Sequence, residues 1–198
     1  MTVEETVLPG VKIISLDVHR DARGYFVEAY NASRYAEAGI DARFVQDNES
    51  CSQRGVVRGL HWQCAPWGQA KLIRVIRGAV LDVVVDVRRN PPTFGRYLTV
   101  ELSAENGRQL FVPRGLAHGF VVLADETVFS YKCDNVYHPE AERGLRYDDP
   151  TVAIPWPDVG RAFVLSPKDL RHPFLAEIEP YEEEPSGLGD SSRPHASN

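Results

Sequence analysis

The chain lacks the marks of an exported, membrane-bound or nucleic-acid-binding protein. Its three cysteines, Cys51, Cys64 and Cys133, are an odd, widely spaced set with no C-x-x-C pair. Neither a disulfide framework nor a structural zinc site is indicated, and reduced thiols in a cytoplasm are the expectation. No run approaches the roughly 18 apolar residues of a membrane span, and residues 1–6 lack the basic and apolar regions of a secretory signal. Basic charge is in deficit, with 22 Lys and Arg against 28 Asp and Glu and a formal charge of -6, which argues against a strongly basic nucleic-acid binder. No internal repeat is present. What is there suffices for one well-buried core and is too short for two large domains: 198 residues, 43% of them hydrophobic.

The pattern of that apolar content is β. Apolar residues come close together over residues 11–16, and residues 44–48, 55–62 and 70–76 carry β signals. Residues 79–87 form the most apolar stretch, β-branched and bounded by Gly78 and by Asn90-Pro91-Pro92, and read as a buried central strand. Further short strands are expected over residues 97–102, 109–112, 119–123 and 127–132, separated by turn residues. Residues 25–30 alternate so that Phe26, Glu28 and Tyr30 share a face, which predicts a strand with one functional face. The best helix candidate is residues 31–39, with Asn31 as cap and Gly39 as stop, and a short helix is expected near residues 167–170. Many short strands at roughly ten-residue spacing predict an all-β antiparallel jelly-roll barrel with a few short peripheral helices. A single domain is expected over residues 1–181, and the Ser, Gly, Pro and acid-rich residues 182–198 read as a disordered tail.

Within this frame two segments stand out: Gly55-x5-His61-x-Gln63 through to Gly78, and Gly107-x5-Pro113-x-Gly115-x2-His118. The pairing resembles the cupin superfamily, whose strand pairs point histidines into a jelly-roll cavity. Metal-binding cupins carry His-x-His and a following acid in the first segment. Here Gln63 replaces the second His, and Gln69 and Lys71 stand where the acid is expected. His61 and His118 alone fall short of the three or four donors a mononuclear site needs, so no metal is expected.

A longer series of strings is similar to the dTDP-4-dehydrorhamnose 3,5-epimerase family. They are Asp21-Ala22-Arg23-Gly24, Phe44-Val45-Gln46-Asp47-Asn48, Val57-Arg58-Gly59-Leu60-His61, Ala70-Lys71, Pro92-Thr93-Phe94-Gly95, Pro113-x-Gly115-Leu116-Ala117-His118-Gly119-Phe120, Tyr131-Lys132 and Pro139-Glu140-x-Glu142-Arg143-Gly144. The resemblance runs in order from about residue 7 to 181. It implies a cofactor-independent epimerase acting at C3 and C5 of a dTDP-linked 4-keto-6-deoxyhexose, and a homodimer.

Both carbons lie alpha to the C4 carbonyl, so epimerisation needs a base on one face, a stabiliser for the enolate oxygen and a proton donor on the other face. The resemblance assigns His61 as base, Asp169 as its partner, Lys71 as stabiliser and Tyr131 as donor. It assigns Arg23 and Arg58 to the diphosphate, a task suited to the guanidinium fork. Glu28, Gln46, Asp47 and Asn48 fall to other parts of the nucleotide, His118 to the keto sugar, and Glu142 and Lys168 to the mouth. Relatives acting at C3 or C5 alone keep much of this machinery. A metal-dependent cupin oxygenase and a sugar-nucleotide binding protein without turnover are the readings from other classes.

Overall fold

The computed structural model describes residues 1–89 and 92–182. Strands β1 (Thr2–Glu5) and β2 (Lys12–Ser15) come first, then a hairpin of β3 (His19–Asp21) and β4 (Gly24–Phe26), then the helix α1 (Ala32–Glu37). After these the chain is strand upon strand: β5 (Gln46–Ser52), β6 (Val57–Gln63), β7 (Lys71–Arg77), β8 (Ala79–Asp86), β9 (Tyr97–Ser103), β10 (Arg108–Val112), β11 (Leu116–Val122) and β12 (Thr127–Cys133). A last short strand, β13 (Glu142–Gly144), precedes an irregular segment with three-residue 3-10 turns at Asp169–Arg171 and Leu175–Glu177.

The strands form a six-stranded sheet, β1-β2-β10-β7-β12-β5, and a five-stranded sheet, β13-β6-β11-β8-β9. Neighbours within each are antiparallel. The expected jelly-roll architecture is therefore present. Alternation along the strands explains the layering. Ile73, Val75 and Phe129 from one sheet meet Val80, Val84 and Phe120 from the other in a shared core. The opposite face of the five-stranded sheet sends Leu60, Trp62, Val83 and Val85 against Leu145, Val152, Ile154 and Leu175 of the C-terminal segment. The helix covers the six-stranded sheet by packing Tyr35 with Ile14, Leu72 and Phe111. Each such side chain contributes about 1.5–3 kcal/mol by leaving water.

Residues 79–86 form β8, the buried strand expected over 79–87, with Val80, Val83, Val84 and Val85 wholly inaccessible. Asn31 caps α1 through its side chain, which accepts from the Arg34 amide, and Gly39 follows at φ +76°. The strand expected over residues 25–30 is corrected: β4 stops at Phe26. Beyond it Glu28 is taken by Arg34 at 2.7 Å, and the Ala29 carbonyl accepts from Gln109 Nε2 at 2.8 Å. Side chains thus hold this backbone where alternation alone predicts a sheet partner.

β1 and β13 were not expected, being short and charged, and their partners are distant in sequence. The expected helix near residue 167 is the 3-10 turn Asp169–Arg171. Of the expected tail, Glu182 pairs with Arg89, and residues 183–198 lie outside the described residues. No helix among the described residues is long and apolar enough to cross a membrane.

Candidate active site

The site follows from strand parity. Lys71 shares the inward face of β7 with Ile73 and Val75, and Tyr131 shares that of β12 with Phe129. Across the gap, Asp82 lies on the inward side of β8, and His118 and Phe120 on that of β11. The apolar members close one end of the inter-sheet space and the polar members line the other.

β6 needs a special backbone to join them. Gly59 sits at φ +106°, and a Cβ there would fall 2.6 Å from the His118 carbonyl oxygen and 2.7 Å from Gly119 Cα. Glycine therefore lets β6 and β11 touch backbone to backbone, with a register shift between His118 and Phe120 that leaves His118 opposite His61.

The resulting cavity has a volume of about 400 Å³. Arg58, His61 and His118 line it from one sheet, Asn48, Lys71 and Tyr131 from the other, and Ser166, Lys168 and Asp169 at the mouth. His61 Nε2 lies 2.7 Å from Asp169 Oδ1. Asp169 is buried at 4% exposure, and its amide donates to Ser166 Oγ. Burial pushes the Asp169 carboxyl up, but the neighbouring His172 and His61 imidazoles outweigh it and hold the group well below the usual carboxylate range. An ionised carboxylate only accepts, so the His61 proton is on Nε2 and Nδ1 carries the free lone pair.

Burial pushes Lys71 below the ordinary lysine range, opposed by Cys133, Asp82 and Glu142. Burial raises Tyr131, which keeps its hydroxyl proton at neutral pH. His118 Nε2 lies 3.0 and 3.1 Å from the two oxygens of the wholly buried Asp82; burial pushes His118 down and Asp82 up. Arg58 is steadied by the Ser52 hydroxyl at 3.1–3.2 Å. At the rim Glu142 accepts from Tyr137 at 2.6 Å and pairs with Lys168.

Other residues named from the sequence stand away from the cavity of their own chain. Arg23 is exposed on the β3–β4 hairpin and pairs with Asp21. Glu28 faces Arg34. Gln46 bonds Asn48 at 3.1 Å and the Tyr137 amide at 2.9 Å, and Asp47 points outward to Lys132. Gln63 holds the Trp67 carbonyl and the His138 amide, so at the position of a cupin's second histidine it performs a turn-fixing role.

Sequence reasoning missed Asp82, Ser166 and His172. Asp82 was hidden in the most apolar strand, although a lone acid in such a run is itself a signal of a buried partner. Among the described residues, His61, Asp169 and His172 are the one group whose donor atoms gather closely enough for a cation, all within 4.8 Å. His118, the second ligand considered from the sequence, is engaged with Asp82 instead. The 2.7 Å between His61 and Asp169 is a hydrogen-bond distance, shorter than the roughly 3.3 Å edge of a tetrahedral zinc site.

Comparison with known proteins places this geometry. The model of the dTDP-4-dehydrorhamnose 3,5-epimerase family matches residues 5–177. The curated dTDP-4-dehydrorhamnose 3,5-epimerase of Methanothermobacter thermautotrophicus is 49% identical over 178 residues, 89% of this chain and 96% of the relative. Among solved structures, a Legionella pneumophila dTDP-6-deoxy-D-glucose-3,5-epimerase in complex with dTDP-4-keto-L-rhamnose is 46% identical. It has a TM-score of 0.87, with 92% of this chain and 98% of that one covered. A 3'-monoepimerase from Streptomyces bikiniensis in complex with dTDP-quinovose is also similar, at 37% identity and TM-score 0.82 over 86% of each chain.

Proposed function

The chain belongs to the dTDP-4-dehydrorhamnose 3,5-epimerase family and is an isomerase, and we propose that the cavity between its sheets epimerises C3 and C5 of dTDP-4-dehydro-6-deoxy-D-glucose, giving dTDP-4-dehydro-L-rhamnose. The observation that carries the reading is the His61–Asp169 pair at 2.7 Å, in one cavity with Lys71 and Tyr131. His61 Nδ1 takes the proton as the C–H bond alpha to the C4 carbonyl breaks, and the electron pair moves to the C4 oxygen. Asp169 stabilises the imidazolium. The Lys71 ammonium stabilises the enolate oxygen in a cavity where low dielectric strengthens the interaction. Tyr131 then delivers its hydroxyl proton to the opposite face, inverting the carbon. The phenolate regains a proton, His61 releases the one it took, and the second carbon follows. These steps call on no cofactor.

Arg58 supplies diphosphate donors, and Asn48, His118, Glu142 and Lys168 surround the substrate at the mouth. Gln46 reaches the same rim through its bonds to Asn48 and the Tyr137 amide. Arg23, Glu28 and Asp47 belong to the homodimer proposed with this reading. The exposed β3–β4 hairpin, with Tyr25 and Phe26 at 57% and 70% exposure, extends to a second barrel and brings Arg23 and Glu28 to its nucleotide. Residues 1–181 are proposed to act as one catalytic domain, in the cytoplasm where nucleotide sugars are made.

The test is proton NMR of the keto sugar in deuterium oxide. Deuterium at both C3 and C5 with inversion is the expected result. Exchange and inversion at one carbon alone reassigns the chain to the monoepimerase type, and exchange at neither ends the proposal.

A further inference from the structure

His172 has no part in the reaction just described, yet it is built into the base. Its imidazole lies edge-on to that of His61, with ring centroids 5.2 Å apart and planes at 79°. Its side chain is 11% exposed, and its Nε2 stands 3.5 Å from Asp169 Oδ1, the same oxygen that His61 contacts. At that distance the contact falls short of a hydrogen bond, and the buried nitrogen has no hydrogen-bond partner among the described residues. The location is specific. Gly144 is the cross-strand partner of His61, and the His172 ring fills the space that a Cβ on Gly144 would need. The same 3-10 turn carries Asp169 at its start and hands the chain to His172 at its end.

We propose that His172 is a positioning residue for the base, a second donor that fixes the Asp169 carboxylate so that His61 keeps its proton on Nε2 and presents Nδ1 to the substrate. A carboxylate held by one imidazole can swing about its terminal torsion, whose preference is broad. It then ceases to select one tautomer. A second N–H beside the same oxygen removes that freedom by closing onto it, in the way outer groups orient the groups that touch substrate. Glycine at 144 is what admits the ring, so the strand opposite the base is part of the device.

The inference rests on His61 being the base, and its test separates the two. Wild-type full-length protein is compared with His172→Ala, His172→Phe, which fills the space without a donor, and His172→Gln, which restores an N–H near the Nε2 position. Steady-state kinetics on the dTDP-keto sugar are expected to show kcat down about 10- to 50-fold for Ala and Phe with KM within about twofold, and Gln recovering most of the loss. Nitrogen-15 NMR of the imidazoles, without substrate, is expected to show His61 as the Nε2–H tautomer in wild type and Gln, and a mixture in Ala and Phe. If Phe matches wild type in both readouts, or the tautomer is unchanged in every variant, His172 is a space-filler and the proposal falls. If wild type does not turn over the sugar, the function proposed above falls, while the tautomer measurement still decides the role of His172.

Discussion

At the scale of single residues, protonation states divide the labour. Tyr131 is held protonated by burial, and Asp169 is held ionised by two imidazoles despite burial. Removing the proposed donor alone should therefore separate the half-reactions. Tyr131→Phe is expected to lose about 10²–10⁴ of its epimerisation rate while still exchanging the substrate's alpha protons with deuterium oxide, because His61 returns its proton to the face it came from. NMR that resolves both configuration and deuterium content checks this.

Lys71 shows the cost of the same chemistry. Its pKa is lowered by burial, so the unfolded chain binds this proton more tightly than the folded one. Folding is then penalised below the folded pKa, and the penalty is relieved as pH rises toward the ordinary lysine value of about 10.4. Lys71→Met should raise the Tm at pH 7, with the gain shrinking at alkaline pH, and should lower kcat by about 10²–10³. Thermal melts across pH, beside kinetics, test both signs.

At the scale of elements, the contact between β6 and β11 decides where the histidines point. Gly59 and Gly119 allow the strands to meet, and the register shift beyond His118 sets it opposite His61. Gly59→Ala would add a Cβ against rigid backbone at a positive φ. The expected loss is about 2–4 kcal/mol by denaturant unfolding, with activity reduced in the folded fraction as His61 is displaced. Strand identity was legible in residues 79–87, whose β-branched run needs no context to read as a strand. Residues 25–30 misled because alternation reports a possible face and not a partner, and Arg34 and Gln109 took up the groups a sheet would have used.

At the scale of the whole molecule, the site is assembled from both sheets and from the segment after β13. Asp169 is 108 residues from His61 in sequence and 2.7 Å from it in space. The hairpin bearing Arg23 points away from its own chain's cavity, and the proposed dimer makes a sharp prediction. Arg23→Ala should lose about 10- to 100-fold in kcat/KM, the scale of a charge-assisted hydrogen bond, and His61→Ala should be inactive. Mixed and re-annealed, the two should recover up to about one quarter of wild-type activity, because half of the dimers hold one complete site. No recovery in a confirmed mixed dimer means that the arm serves its own chain.

The sequence by itself determined the all-β architecture and, through ordered motifs, the family, and it named the residues proposed above as base, stabiliser and donor. These are legible because alternation and turn chemistry act over a few residues. Tertiary structure alone decided that Asp82 lies beneath His118, that Gln63 serves a turn, and that His172 stands behind Asp169 against Gly144. Those relations join residues far apart along the chain. They depend on the closing of two sheets and the path of an irregular segment, for which no local pattern carries a signal.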